Sequence, residues 1–114
     1  MSGVVIAVVD DMFFASKIRA VAEAVGVEVS FPRTKEALLE KAREARLILV
    51  DLHNQKFDPV ELARDVPGVK LIGFFSHVQT ELQKSALAAG YEKVIPRSAF
   101  VRDLPGILNA DDAD

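Results

Sequence analysis

Three carboxylates, a hydroxyl and a guanidinium each stand directly behind an apolar run. Asp10 and Asp11 follow residues 4–9, Asp51 follows 47–50, Ser76 follows 69–75, and Arg97 follows 93–96. Gathered into one cleft, three carboxylates repel one another unless a hard cation joins them, and oxygen donors with room for water suit Mg²⁺. A carboxylate that attacks phosphorus also needs the charge growing on the equatorial oxygens neutralised by metal, hydroxyl and cation. This set holds all those parts. Each residue has a plainer use as well. Asp10-Asp11 can cap a helix starting near Met12, Asp51 can be a turn residue, and Ser76 can cap a following helix with Gln79 closing a capping box. Arg97 can form a standing ion pair with Asp51 that neutralises the pocket without metal.

The elements that must bring these residues together are legible as periodicity. Residues 4–9 form an unbroken apolar run, β-branched at every position but Ala7, the pattern of a strand buried on both faces, as in a parallel sheet. Phe14, Ile18, Val21 and Val25 then recur at helical spacing up to Gly26, which suits a left-handed helix end. Met12 and Phe13 are expected to join Phe14 in packing. A strand over 27–31 leads to Thr34 as N-cap and a helix over 35–44. A third strand covers 47–50. The glycine-free loop 52–58 enters a helix at Pro59, a residue suited to a first turn. A fourth strand covers 69–75, a helix 78–89 stops at Gly90, and a short strand 93–95 is closed by Pro96. Pro105 fits a first turn and would break a helix interior, so the last helix is expected to start at Asp103. Residues 111–114 read as a frayed acidic tail behind one domain over 1–110.

Five strands alternating with helices predict an α/β domain: a doubly wound parallel sheet with right-handed crossovers. In such sheets the ligand site lies beyond the carboxyl ends of the strands, where the residues named first stand. Composition narrows the function. With 50% hydrophobic residues and 114 in all, the chain can bury a core, and the absence of cysteine excludes thiolate metal and disulfide chemistry and suits a cytoplasmic setting. No apolar run reaches the roughly 20 residues a membrane span needs, and the start lacks a signal peptide's basic region. A net charge of −3 with mixed signs offers no basic stripe for nucleic acid, so protein partners are expected.

The order strand-Asp-Asp, strand-Asp, strand-Ser, strand-cation resembles the receiver domains of bacterial response regulators, over nearly the whole chain. The resemblance implies a flavodoxin-like (βα)5 fold with strand order 2-1-3-4-5 and no enzyme activity of the ordinary kind. It implies a stand-alone two-component (phosphorelay) signalling module in which Asp51 accepts a phosphoryl group from phosphohistidine. Asp10, Asp11, Asp51 and the backbone carbonyl of His53 would hold Mg²⁺, with Ser76 and Arg97 gripping the phosphoryl oxygens. Partners would be a sensor histidine kinase or phosphotransfer protein, and a downstream protein docking on the fourth helix, fifth strand and fifth helix, the chain being a monomer or weak homodimer. Arg97 stands where the family has lysine, His77 where a small residue is usual and Val94 where an aromatic is common, which implies an altered switch. The alternative is a phosphorylation-independent pseudo-receiver that works as a protein-interaction module. Asp51-Leu52-His53 also has the start of a cobalamin-binding motif, but Lys56 replaces its glycine. A dehalogenase-type phosphatase would need an aspartate where His53 stands.

Overall fold

The structure, a computed structural model, describes residues 3–109; the expected acidic tail at 111–114 lies outside the described residues. Five strands, β1 (Val4–Val8), β2 (Val29–Ser30), β3 (Ala45–Asp51), β4 (Lys70–Phe75) and β5 (Lys93–Pro96), form one parallel sheet in the order β2-β1-β3-β4-β5. They alternate with α1 (Met12–Val25), α2 (Lys35–Ala42), α3 (Pro59–Asp65), α4 (Thr80–Ala89) and α5 (Arg97–Asn109). All five residues of β1 are buried because the sheet carries a core on each face. Val5, Ala7, Leu49 and Phe74 face α1 and α5, whereas Ile6, Val8, Ile48 and Val50 face α2, α3 and α4. That two-sided burial explains the unbroken apolar runs and aligns the carboxyl ends of β1, β3 and β4 in one rim.

Local signals account for most boundaries. Gly26 ends α1 at φ 74° and Gly90 ends α4 at φ 119°, left-handed positions where a Cβ would strain the backbone. Thr34 Oγ1 accepts the Ala37 N–H at 3.1 Å, and Asp58 Oδ1 accepts the N–H groups of Val60 and Glu61 ahead of the Pro59 turn. β2 is shorter than 27–31 and α4 starts at Thr80 rather than residue 78.

Three expectations are corrected. α5 begins at Arg97, not Asp103, with Pro105 inside it. Pro105 lies on the exposed side, so water can serve the carbonyl that loses its donor, while Phe100, Leu104, Ile107 and Leu108 anchor the buried side. Ser76 does not cap α4: the cap residue is Gln79, whose N–H donates to Gln83 Oε1 at 3.1 Å. Met12 and Phe13 are 81% and 91% exposed, and only Phe14 of that trio packs inside.

Candidate functional site

Asp51 is the last residue of the central strand β3, half-buried, with Oδ1 accepting the His53 N–H at 2.9 Å. Burial pushes its carboxyl above the ordinary value; the His53 N–H, the positive field of His53 and Arg97 hold it partly back, and the charge of Asp10 adds to the rise. The turn behind it needs no glycine because Asn54 organises it. Asn54 Nδ2 donates to the Asp51 carbonyl at 2.8 Å, and its Oδ1 accepts the N–H groups of Lys56 and Phe57 at 2.9 and 2.7 Å. Only 9% exposed, Asn54 is a site-building residue that the sequence reading missed. An asparagine three residues past a strand-end aspartate, in a loop without glycine, is the signal that points to it. Asn54→Ala strands those partners in a partly buried turn and should cost about 1–3 kcal/mol, read as a lower urea midpoint at unchanged slope.

The far end of this loop is pinned from below. The buried Tyr91 hydroxyl donates to the Pro59 carbonyl at 2.9 Å, and its ring passes over Gly73, where an added Cβ would meet Leu52 at 3.0 Å and Tyr91 at 3.2 Å. Gly73 is therefore favoured by close approach rather than by backbone angle, since a Cβ would need Leu52 and Tyr91 to give way by a few tenths of an ångström.

Asp10 and Asp11 diverge. Asp10 Oδ2 accepts the Gln55 N–H at 2.7 Å, tying β1 to the loop after β3. Asp11 is the N-cap of α1: Oδ1 accepts the N–H groups of Phe13 and Phe14, and Oδ2 accepts Arg97 Nη2 at 3.1 Å. The Phe14 N–H, the Arg97 hydrogen bond and the Phe13 N–H together hold its carboxyl below the ordinary value. Arg97 thus pairs with Asp11 and not with Asp51, correcting the expectation of an Asp51–Arg97 ion pair. Its guanidinium carbon lies 3.9 Å above the Phe14 ring and Nη1 donates to Ser76 Oγ at 3.5 Å. Phe14 is itself packed at a tilt into a buried trio, 5.1 Å from Phe74 and 5.9 Å from Phe100, so the arginine rests on a rigid floor. His77, behind Ser76, donates its N–H to His53 Nε2 at 3.5 Å, and the two rings meet edge to face at 5.7 Å beside Asp51.

Among the described residues no three His, Asp or Glu side chains are grouped to hold a metal by themselves. Mg²⁺ does not need three, since one or two carboxylates, a carbonyl and waters suffice. The charge of Asp10 raises the half-buried Asp51 carboxyl, and the His53 carbonyl accepts Gln55 Nε2 at 3.3 Å; two carboxylates and a carbonyl are oxygen donors of the kind a hard dication takes.

No protein-family model and no curated protein matches the sequence. Solved structures do match. A CheY-like response regulator receiver domain from Methanospirillum hungatei JF-1 is 22% identical, with a TM-score of 0.79 over 97% of this chain and 94% of that one. The chain has the receiver fold. Two further likenesses are a receiver domain of a sensor histidine kinase and a response regulator. The former, from Pseudomonas aeruginosa PAO1, was solved with a magnesium ion in its active-site cleft. It is 18% identical, with a TM-score of 0.76 over 96% of this chain and 97% of that one. The latter, from Burkholderia pseudomallei, carries a phosphorylated aspartic acid and a calcium ion. It is 19% identical, with a TM-score of 0.74 over 98% of this chain and 71% of that one. The fold and strand order expected from the sequence are those found.

Proposed function

We propose that this receiver fold works as a phosphoryl acceptor in two-component signalling, with Asp51 as the accepting residue and a histidine kinase or phosphotransfer protein as donor. The observation that carries the reading is Asp51 itself. It is a half-buried carboxylate at the end of the central strand, held through Oδ1 by the His53 N–H and flanked by Asp10 and Arg97. In the transfer, an Asp51 oxygen forms a bond to phosphorus as the P–N bond of the donor phosphohistidine breaks, and the leaving imidazole keeps the electron pair. Asp10, Asp11, Asp51 and the His53 carbonyl would hold Mg²⁺, which when bound supplies positive charge against the phosphoryl oxygens. For Asp11 to join, its Oδ2 must exchange Arg97 for the cation.

Ser76 and Arg97 then have free donors for the phosphoryl group, the hydroxyl and guanidinium already in register at the ends of β4 and β5. The exposed Met12, Phe13 and Val78 lie next to the rim residues Asp11 and His77 and suit the docking of a donor protein. Leu87, half exposed on α4, supports α4, β5 and α5 as the output face.

Beryllofluoride with Mg²⁺, a mimic of the acyl phosphate, is expected to shift the backbone NMR signals of Asp51, Ser76 and Arg97. A saturating titration that leaves these signals in place would reject the reading. Ser76→Ala is expected to slow phosphorylation by acetyl phosphate about tenfold, less than the loss of a charged donor, while leaving unfolding unchanged, because it removes one exposed neutral donor and no packing.

A further inference from the structure

A second cleft lies on the β2 side of the rim, beyond Asp10. It has a volume of about 300 Å³ and is bounded by the ends of β1, α1, the connection after β2 and the loop after β3. Three cations line it, each from a different element: Arg19 from α1, Arg33 from the β2–α2 connection and Lys56 from the β3–α3 loop. They are far apart in sequence, and only the fold brings them to one concavity. None of the three has an ion-pair partner among the described residues, although the chain as a whole carries a net charge of −3. Asp10 is the one acid in the lining, and its Oδ2 already accepts the Gln55 N–H.

The walls between these charges are apolar and aromatic, with Phe31 and Phe57 both half-buried. Arg19 is laid over the Phe31 ring, its guanidinium carbon 4.6 Å from the centroid. Stacking of that kind fixes the guanidinium plane while leaving N–H groups on its edge to fork onto an oxyanion, so little side-chain entropy remains to be lost on binding. Unpaired cations around a pocket with aromatic walls match a ligand that carries both a dianionic phosphate and a flat ring. The volume lies at the small end of ligand sites, suited to one nucleotide unit and not to a polymer.

We infer that the cleft between α1, the β2–α2 connection and the β3–α3 loop binds a nucleoside monophosphate, its phosphate on Arg19, Arg33 and Lys56 and its ring against Phe31 and Phe57. The site is separate from the phosphoryl acceptor and does not rest on Asp51 being phosphorylated. It touches the acceptor through Asp10 and through the loop that carries Lys56, so occupancy biases the loop that Asn54 organises.

The test is an NMR titration of the protein in EDTA with adenosine and guanosine 5′-monophosphate, beside inorganic phosphate and the two nucleosides alone. At least one nucleotide is expected to bind saturably, moving the signals of Ser16, Arg19, Arg33 and Lys56, weakening as salt rises and binding Asp51→Asn equally well. The Arg19→Gln/Arg33→Gln pair, both exposed and therefore tolerant of change, is expected to weaken binding at least ~10-fold with unchanged thermal unfolding. The inference is overturned if neither nucleotide binds saturably up to ~5 mM, a concentration several-fold above a ~1 mM dissociation constant. It is equally overturned if inorganic phosphate binds as tightly as the nucleotides, or if the double variant binds as well as the parent. The beryllofluoride titration stands or falls on its own.

Discussion

Asp51→Asn is expected to abolish phosphoryl incorporation from acetyl phosphate and Mg²⁺, seen as loss of the phosphoryl mass increment in the intact protein. Asparagine keeps the shape and still accepts the His53 N–H that Asp51 Oδ1 accepts at 2.9 Å, so the loop should hold. What disappears is the anionic oxygen that attacks phosphorus, and a neutral amide has no comparable nucleophile. Incorporation that survives in Asp51→Asn would move the acceptor to another carboxylate and sink the assignment.

The same variant should be more stable than the parent. Burial raises the Asp51 carboxyl above its ordinary value, so the fold prefers the protonated form. For an acid raised in the folded state, the ionised group is a burden at neutral pH, and the burden fades as pH falls through the raised value toward the unfolded one. In EDTA, the urea midpoint of Asp51→Asn should exceed that of the parent at pH 7, and the margin should shrink in mildly acidic buffer. If Mg²⁺ is held as proposed, adding it should stabilise the parent more than the variant, which would lack the Asp51 carboxylate as a ligand. An equal midpoint at pH 7 would mean that Asp51 is no less comfortable as an anion than in water.

The stability trade follows from where the sheet puts the residue, and that placement was written plainly in the sequence. β1, β3 and β4 are buried on both faces, so their apolar runs carry no ambiguity and the residue after each is fixed to the same rim. β2 was harder, because an edge strand of two half-buried residues leaves little periodic trace. The start of α5 is not legible from Pro105, because the rule against proline inside helices carries no information on whether the residue faces solvent, as Pro105 does. Met12 and Phe13 adjoin the buried Phe14 and share its apolar character, but the stripe through Phe14 and Ile18 passes them by.

Side-chain partnership was less legible than position. Which carboxylate takes the guanidinium depends on χ angles and on the floor beneath it, and no spacing rule encodes either. Phe14 being buried directly under Arg97 is what directs the fork to Asp11 and Ser76. Asn54 likewise does work that the sequence alone states only as a turn preference.

Arg97→Ala is expected to slow phosphorylation of Asp51 about 10²-fold, the usual effect of removing one donor aimed at developing charge. The effect depends on whether the guanidinium can leave Asp11. That ion pair is exposed on both sides, with side-chain exposures of 36% and 43%, and pairs of this kind are worth about 0–1 kcal/mol. A charge-assisted bond to a phosphoryl oxygen is worth about 1.5–3 kcal/mol, so the exchange is favourable once the phosphoryl group arrives. The stack on Phe14 contributes about 0.5–2 kcal/mol and need not break, because rotation in the ring's plane re-aims the fork without lifting it. Arg97→Lys should lose less than Arg97→Ala, since charge is kept but the stacked plane and the second donor are not. Initial rates with acetyl phosphate, followed by mass spectrometry, decide the matter: equal rates for parent and Arg97→Ala would confine Arg97 to neutralising Asp11, the residue that caps the start of α1.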